Sequence, residues 1–234
     1  MFRSFPFALV SFVALFVSVL PAQGQHTPVP TPPPAAVAVE VPTFPNPTCP
    51  IMGKKVSMPL FVDTEAGRFY VCCKPCIKKI LANVPAAQQT AYPTTKVLTN
   101  TVCPVSGEAI GEDAVAVTLQ GHSFQVCCAG CVETARADAQ IVLTKLLVPG
   151  VVDIGNTTCP VTGEATARNA FAVVGTSLVR LSSPKAVEAV VQDPTALLQK
   201  AIALQKQQPA PTPHVHTKKP APAVPEPQPK EGGK

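Results

Sequence analysis

The chain has 234 residues and a net charge of +5, from 19 Lys and Arg against 14 Asp and Glu. Because it holds 28 prolines and only 5% aromatic residues, a good part of its length cannot bury a core, and the folded part must be too small for a large catalytic barrel. The basic residues form none of the dense stripes that bind phosphate, so we expect no nucleic-acid partner.

Residues 1–24 have the pattern of a secretory signal peptide. Arg3 gives a positive start, residues 5–20 form an apolar run, and Ala22-Gln23-Gly24 supplies a small-residue cleavage signal. The run is shorter than the roughly 20 residues of a spanning helix, so we expect no membrane span after cleavage. The sequence therefore predicts an exported protein, periplasmic or extracellular, in an oxidising compartment where thiols can form disulfides.

Proline-rich stretches flank the centre of the chain. Residues 25–47 and 207–234 alternate Pro with Ala, Val, Thr and Gln. This composition predicts disordered, polyproline-like arms without a core of their own. The folded part is then expected within residues 48–206.

The pattern C-P-x-x-G occurs three times in this centre. The motif starts at Cys49, Cys103 and Cys159, so the three starting cysteines are almost evenly spaced along the chain. So regular a spacing predicts three repeats, here called the first segment (residues 48–95), the second segment (96–150) and the third segment (151–206).

Each segment is predicted to contain a hairpin and a helix. In the first segment the helix is predicted over residues 77–83. In the second, a strand at 96–101 precedes a hairpin of 114–119 and 123–126 around the turn Gln120-Gly121-His122, and a helix covers 132–147. In the third, a strand at 151–156 precedes a hairpin of 170–174 and 177–181, and a helix runs from Ala186 onward, with Ser183 as N-cap and Pro184 at its first position. The expected fold class is α+β, as three small treble-clef or zinc-ribbon-like units.

Small units of this size commonly need a metal ion or a disulfide in addition to their apolar core, and the cysteines are the candidates for this stabilising role. In the first two segments a C-C-x-x-C cluster follows the hairpin, so that folding the hairpin brings it close to the first cysteine. Four thiols per segment match the tetrahedral ligand count of a metal site. The candidate ligands are Cys49, Cys72, Cys73 and Cys76 in the first segment and Cys103, Cys127, Cys128 and Cys131 in the second.

The third segment lacks this cluster. It has Ser182, Ser183 and Ala186 at the corresponding positions, so Cys159 is expected to have no thiol partner. We interpret this segment as a degenerate repeat that acts as a cap or docking face.

The helix starts are expected to activate two of the thiols. Cys76 and Cys131 fall in a first helical turn, where the helix dipole should lower the thiol pKa. Soft thiolate ligands favour Zn(II) or Cu(I) over Mg(II) or Ca(II).

The C-P-x-x-G motif, followed by an aromatic strand and then by C-x-x-x-C, resembles the TRASH-type and YHS-type metal-binding modules. These small domains are associated with sensing, trafficking and resistance for copper and other heavy metals. The resemblance covers the larger part of each of the first two segments and implies two sets of metal ligands. They are Cys49, Cys72 and Cys76, and Cys103, Cys127 and Cys131.

The vicinal cysteine pairs leave two ligand choices open. Along an extended strand Cys127 and Cys128 point to opposite faces, so both cannot easily reach one ion. A knuckle arrangement favours Cys128 with Cys131, whereas the family pattern favours Cys127 with Cys131.

Three functions remain open from the sequence. The first is an exported metal-binding protein for sequestration, storage or delivery, whose partners are the metal ion and an envelope protein. The second is an envelope structural protein whose cysteines form structural disulfides, and the third is a thiol oxidoreductase that uses Cys73 and Cys76 or Cys128 and Cys131. An enzyme is not expected, because His122 is the only histidine in residues 48–206 and no Ser-His-carboxylate pattern is present.

Overall fold

The computed structural model describes residues 37–208, which form six α-helices and nine strands in three sheets. The predicted α+β class is confirmed, while the treble-clef shape stays a prediction. The predicted signal peptide, residues 25–36 of the first arm and residues 209–234 of the second lie outside the described residues. Within residues 37–208, no helix is both long and apolar enough to cross a membrane.

The first segment and the chain before it contain three strands and two helices. They are β1 (Val39–Glu40), β2 (Ser57–Thr64), β3 (Gly67–Val71), α1 (Lys74–Ala82) and α2 (Val84–Ala91). Helix α1 begins three residues earlier than predicted, because Cys73 is extended and Pro75 fits the first turn. Helix α2 was not predicted. Its start is fixed by the Asn83 side chain, which accepts a hydrogen bond from the backbone N–H of Ala86.

The second segment contains a three-stranded sheet and two helices. They are β4 (Lys96–Val97), β5 (Val115–Leu119), β6 (His122–Val126), α3 (Gly130–Ala137) and α4 (Ala139–Leu147). The predicted hairpin is confirmed, and β4 adds to it in parallel with β6. The turn has only two residues, Gln120 and Gly121, both with positive φ, so His122 belongs to the strand. The prediction of one helix over residues 132–147 is wrong, because the helix breaks at Asp138.

The third segment has the same order of elements. They are β7 (Val152–Asp153), β8 (Phe171–Val174), β9 (Ser177–Arg180), a 3-10 turn (Pro184–Ala186), α5 (Val187–Gln192) and α6 (Pro194–Lys206). Ser183 does precede the turn, but its hydroxyl makes no capping hydrogen bond. The helical region divides at Asp193, whose carboxylate accepts from the N–H of Ala196 at the start of α6.

The prediction of a disordered arm is wrong for residues 37–47. Strand β1 pairs antiparallel with β8, and Val39 packs on the core of the third segment. Phe44 packs against the core of the second segment, and the side chain of Asn46 is buried. The reason is that this stretch supplies apolar side chains and backbone groups that cover an otherwise open strand edge.

Each segment has its own apolar core, and further contacts join the segments within one compact unit. Ile141 of α4 packs against Phe171, Val173 and Leu178 of the third segment. The backbone N–H of Gln120 donates to Ala66 O in the hairpin turn of the first segment at 3.1 Å. The two candidate sites are therefore parts of one continuous structure.

Candidate metal centres

The C-P-x-x-G motif forms a tight turn around the first cysteine. In the second segment Gly107 N donates to Cys103 O at 2.9 Å, and Cys103 N donates to Glu108 O at 2.7 Å. The same two bonds form around Cys49 and Cys159. Gly107 has a φ of +79°, which explains why the last position is glycine. The turn directs backbone N–H groups at the cysteine sulfur.

The remaining cysteines come from the end of the hairpin and the start of the next helix. Cys127 and Cys128 follow β6, and Cys131 lies in the first turn of α3. In the first segment Cys72 and Cys73 follow β3, and Cys76 is the third residue of α1. Folding of the hairpin therefore brings both groups of thiols to the same end of each unit.

Three of the four cysteines of the second segment converge. The Sγ atoms of Cys103, Cys127 and Cys131 all lie within 4.8 Å of one another, and those of Cys127 and Cys131 are 3.6 Å apart. These side chains, here called the second triad, are at most 4% exposed. A tetrahedral ion with metal–sulfur bonds of about 2.3 Å would hold its sulfurs roughly 3.8 Å apart. The second triad thus needs little adjustment to hold such an ion.

The first segment repeats this arrangement with greater exposure. The Sγ atoms of Cys49, Cys72 and Cys76, here called the first triad, also lie within 4.8 Å of one another. The Cys72 and Cys76 sulfurs are 3.9 Å apart. Cys49 and Cys76 are buried, whereas Cys72 is only half-buried. This site is the more accessible of the two.

The second member of each vicinal pair lies beside its triad. Cys73 Sγ is 3.4 Å from that of Cys76 and 3.9 Å from that of Cys72. Cys128 Sγ is 3.8 Å from that of Cys131 and 3.9 Å from that of Cys127. Neither belongs to the set of mutually close sulfurs that includes Cys49 or Cys103. Both open ligand choices bring their sulfur near that of Cys131, but only the one with Cys127 also places it within 4.8 Å of the Cys103 sulfur.

One thiol in each triad has a lowered pKa and can ionise near neutral pH. Burial raises the pKa of Cys103, but backbone N–H groups of Val105, Ser106 and Cys127 and the Ser106 hydroxyl lower it to about 7. Burial likewise raises the pKa of Cys49, but the backbone N–H groups of Cys72, Ile51 and Met52 lower it to about 7. A thiolate surrounded by backbone N–H groups resembles a bound anion.

The expectation that the helix starts lower the pKa of Cys76 and Cys131 is wrong. Burial raises the pKa of Cys76 to about 12, and the neighbouring cysteines Cys73, Cys49 and Cys72 contribute to this rise. Burial and the proximity of Cys127 and Cys103 raise the pKa of Cys131 as well. Burial also raises the pKa of Cys72, and it raises that of Cys127 to about 11. Two thiols of each triad therefore stay protonated at neutral pH until a cation displaces their protons.

An asparagine that the sequence analysis did not identify supports each turn. Asn100 Nδ2 donates to Val102 O at 2.9 Å and to Gln125 O at 2.8 Å, and Asn100 Oδ1 accepts from Gln125 N at 3.0 Å. Asn46 and Asn156 make the same three kinds of bond in their segments. Each side chain thus ties the residue before the first cysteine to the strand that leads to the second cluster. The signal in the sequence is N-x-x-C-P-x-x-G, in which the asparagine recurs at the same position before each first cysteine.

The third segment keeps the turn without the thiols. Cys159 is fully buried and belongs to neither group of candidate metal ligands found in residues 37–208. Burial raises its pKa, while the hydroxyls and backbone N–H groups of Ser182 and Thr162 bring it to about 7. The hydroxyl of Ser182 thus lies beside the sulfur of Cys159 at the position where the other segments have Cys72 and Cys127.

All nine cysteines of the chain lie in the described part, and all are free thiols. No protein-family model, curated protein or solved structure matches this chain. The likeness to TRASH-type and YHS-type modules therefore stays a prediction.

Proposed function

We propose that this protein is an exported, non-enzymatic binder of soft metal ions, Zn(II) or Cu(I), and serves in their sequestration, storage or delivery. The observation that carries the proposal is the convergence of three buried sulfurs in the second triad, all within 4.8 Å of one another. The first triad repeats it in a second segment. Cysteine thiolates are the ligands that both ions favour.

The number of converging sulfurs supports this function over a structural disulfide. A disulfide joins two sulfurs at about 2.05 Å and gives a third no role. In each triad a third thiol is held close to the other two, with a pKa of about 7 at Cys49 or Cys103. Such a group serves a cation better than a covalent bridge, because a cation can use all three sulfurs.

The two sites suit different steps of metal handling. Cys72 and Cys73 are half-buried, whereas Cys127 and Cys128 are buried. An incoming thiol can therefore reach the first site more easily, which supports exchange of the ion with an envelope protein there. The second site is the better enclosed store.

The test is elemental analysis with a thiol count on the full chain purified anaerobically. We expect close to two equivalents of Zn(II) or Cu(I) per chain. The double variant Cys103→Ser/Cys131→Ser should lose one equivalent, since the remaining sulfur of the triad cannot hold the ion alone. Cys159→Ser is the matched control, because it removes a buried thiol outside both triads and should keep both equivalents.

Two outcomes would contradict the proposed metal binding. A metal-free chain in which mass spectrometry finds disulfides between cysteines of one segment would overturn metal binding in favour of the structural alternative. Equal metal loss from Cys159→Ser and from the double variant would show that the triads are not the sites.

A further inference from the structure

The two triads differ in the residue type at one equivalent position next to the first cysteine. The fifth residue after the first cysteine is Lys54 in the first segment and Glu108 in the second. Each accepts a hydrogen bond through its backbone oxygen from the N–H of that cysteine, at 2.8 Å and 2.7 Å. Both side chains therefore begin at the rim of their triad, with opposite charge.

Glu108 touches the second triad. Its Oε2 accepts a hydrogen bond from the Cys127 thiol at 3.4 Å, and a second from the Ser106 hydroxyl at 3.4 Å. Ser106 Oγ is also 3.3 Å from Cys127 Sγ. The carboxylate is thus in contact with a candidate ligand and is held by a neighbouring hydroxyl. In the first segment Met52 takes the place of Ser106, and both Met52 and Lys54 are exposed.

We infer that Glu108 makes the second triad selective for a divalent ion such as Zn(II), acting as an oxygen ligand or as a charge beside the sulfurs, while the first triad prefers Cu(I). This inference rests on the proposed function and specifies which ion each site takes. Zn(II) accepts carboxylate oxygen beside thiolate sulfur, whereas Cu(I) selects soft sulfur ligands alone. Lys54 cannot serve as a comparable oxygen ligand.

The charge and the burial of the second triad both favour a divalent ion over a monovalent one. A divalent ion neutralises more of the thiolate charge than a monovalent ion does, and uncompensated charge costs most where water is excluded. Cys127 is 4% exposed and has a carboxylate beside it, so the second site needs the larger cation charge. Cys72 is half-buried, and Lys54 and Lys74 flank the first segment's cysteines in the sequence. The first site can therefore tolerate the more negative complex that Cu(I) forms.

The test uses full chains with one triad each, kept reduced under anaerobic conditions. Cys49→Ser/Cys76→Ser retains the second triad, and Cys103→Ser/Cys131→Ser retains the first. Competition with chromophoric chelators then gives the dissociation constants for Zn(II) and for Cu(I). In the chain with the second triad, Glu108→Gln should weaken Zn(II) binding by about 10- to 100-fold and change Cu(I) binding by less than about 3-fold.

Glu164→Gln is the matched control for this substitution. Glu164 occupies the same position after Cys159 and accepts the same backbone hydrogen bond, at 2.7 Å, in a segment without a triad. It should leave both affinities unchanged. In the chain with the first triad, the reciprocal change Lys54→Glu should strengthen Zn(II) relative to Cu(I) by several-fold, which tests the idea independently of the folding of the Glu108 variant.

The outcomes separate the inference from the function on which it rests. If Glu108→Gln weakens both ions equally or neither, and Lys54→Glu does not shift the ratio, the selectivity assigned to Glu108 is wrong while metal binding stands. If neither single-triad chain binds Zn(II) or Cu(I), the proposed function itself fails.

Discussion

Asn100 is the side chain that couples the two halves of the second site. Its amide bonds both the N–H and the C=O of Gln125, two residues before Cys127, and also the C=O of Val102, next to Cys103. Because one rigid amide makes three bonds, it sets the distance between the turn and the strand that carry the ligands. We expect it to act on metal affinity without touching the ion.

Asn100→Ala should lower the free energy of unfolding by roughly 0.5–1.5 kcal/mol, because the three hydrogen bonds it removes are exposed and water can replace the lost partner. It should also weaken Zn(II) binding at the second triad by about tenfold or more, while the first triad keeps its affinity. Chelator competition on chains with one triad each measures the second effect, and urea unfolding of the metal-free chain measures the first.

Asn156 offers the matched control, since it makes the same bonds in the segment without a triad. Because Asn156 is fully buried, Asn156→Ala should cost at least as much stability as Asn100→Ala, with no change in metal affinity. If both variants weaken Zn(II) binding equally, the effect of Asn100 is general destabilisation rather than ligand positioning.

Spacing alone predicted that the first cysteine of each of the first two segments lies close to its C-C-x-x-C cluster, because thiols before and after a hairpin meet once the hairpin forms. It could not choose between Cys127 and Cys128, since that depends on where the strand stops being extended. It also missed Asn100 and Glu108. An isolated Asn before a turn is equally consistent with local capping, and its true partner, Gln125, lies 25 residues away. Raised pKa values at Cys76 and Cys131 reflect burial, which no local pattern reports.

At the scale of elements, the break between α3 and α4 is made by the third segment. Asn169 Oδ1 accepts from Gln140 N at 2.9 Å, and Asn169 Nδ2 donates to Ala137 O at 3.1 Å. Asn169 therefore satisfies backbone groups on both sides of Asp138 that a broken helix leaves open. It has a φ of +55°, in the left-handed region.

Substitutions at Asn169 should separate its hydrogen bonds from its conformation. Asn169→Gly keeps the left-handed backbone and loses the amide, so we expect a loss of roughly 1–3 kcal/mol in the free energy of unfolding. Asn169→Ala should cost about 1 kcal/mol more, because alanine is strained at positive φ. Urea unfolding of both variants measures the loss of the hydrogen bonds and the additional cost of backbone strain. Equal stability of both variants and the wild type would show that the helix break needs no support from Asn169.

The hairpins were predictable because their signals are local, whereas the helix junctions were not, because they depend on contacts between distant parts of the chain. Alternation and a Gln-Gly turn are local signals, and they place β5 and β6 within one residue of the structure. Residues 132–147 contain no proline or glycine, so nothing local stops a helix at Asp138. The helix predicted over residues 77–83 ends just before Pro85, since proline interrupts a helix interior, but Pro85 fits the first turn of a new helix, α2.

At the scale of the whole molecule, a charged network joins the second and third segments. Arg180 Nη2 lies 2.7 Å from Asp153 Oδ2, and Arg180 Nη1 lies 3.4 Å from Asp138 Oδ2. Lys145 Nζ of α4 is 3.8 Å from Asp153 Oδ2. The Asp153 side chain is only 8% exposed. Its charge is therefore little screened and depends on these partners.

Burial would raise the pKa of Asp153, but hydrogen bonds and charge attraction from Arg180, and the charge of Lys145, hold it below its usual range. The folded state thus binds this proton less readily than the unfolded state. The contribution of Asp153 to stability is therefore fully present above the unfolded pKa of about 4, and it is lost as the pH falls through the lower folded pKa. In that window the free energy of unfolding should fall by up to about 1.4 kcal/mol per pH unit from this group.

Asp153→Asn should remove this part of the acid sensitivity and lower stability near neutral pH by roughly 1.5–3 kcal/mol, because Arg180 loses its charged acceptor. Urea unfolding between pH 3 and 7, with chelator and reductant present so that metal contributes nothing, measures both effects. Asp63→Asn is the control. Asp63 also pairs with an arginine at 2.7 Å, but its side chain is 41% exposed, so its loss should cost less than about 1 kcal/mol. A parallel pH profile for wild type and Asp153→Asn would mean that the network does not hold the two segments together through this charge.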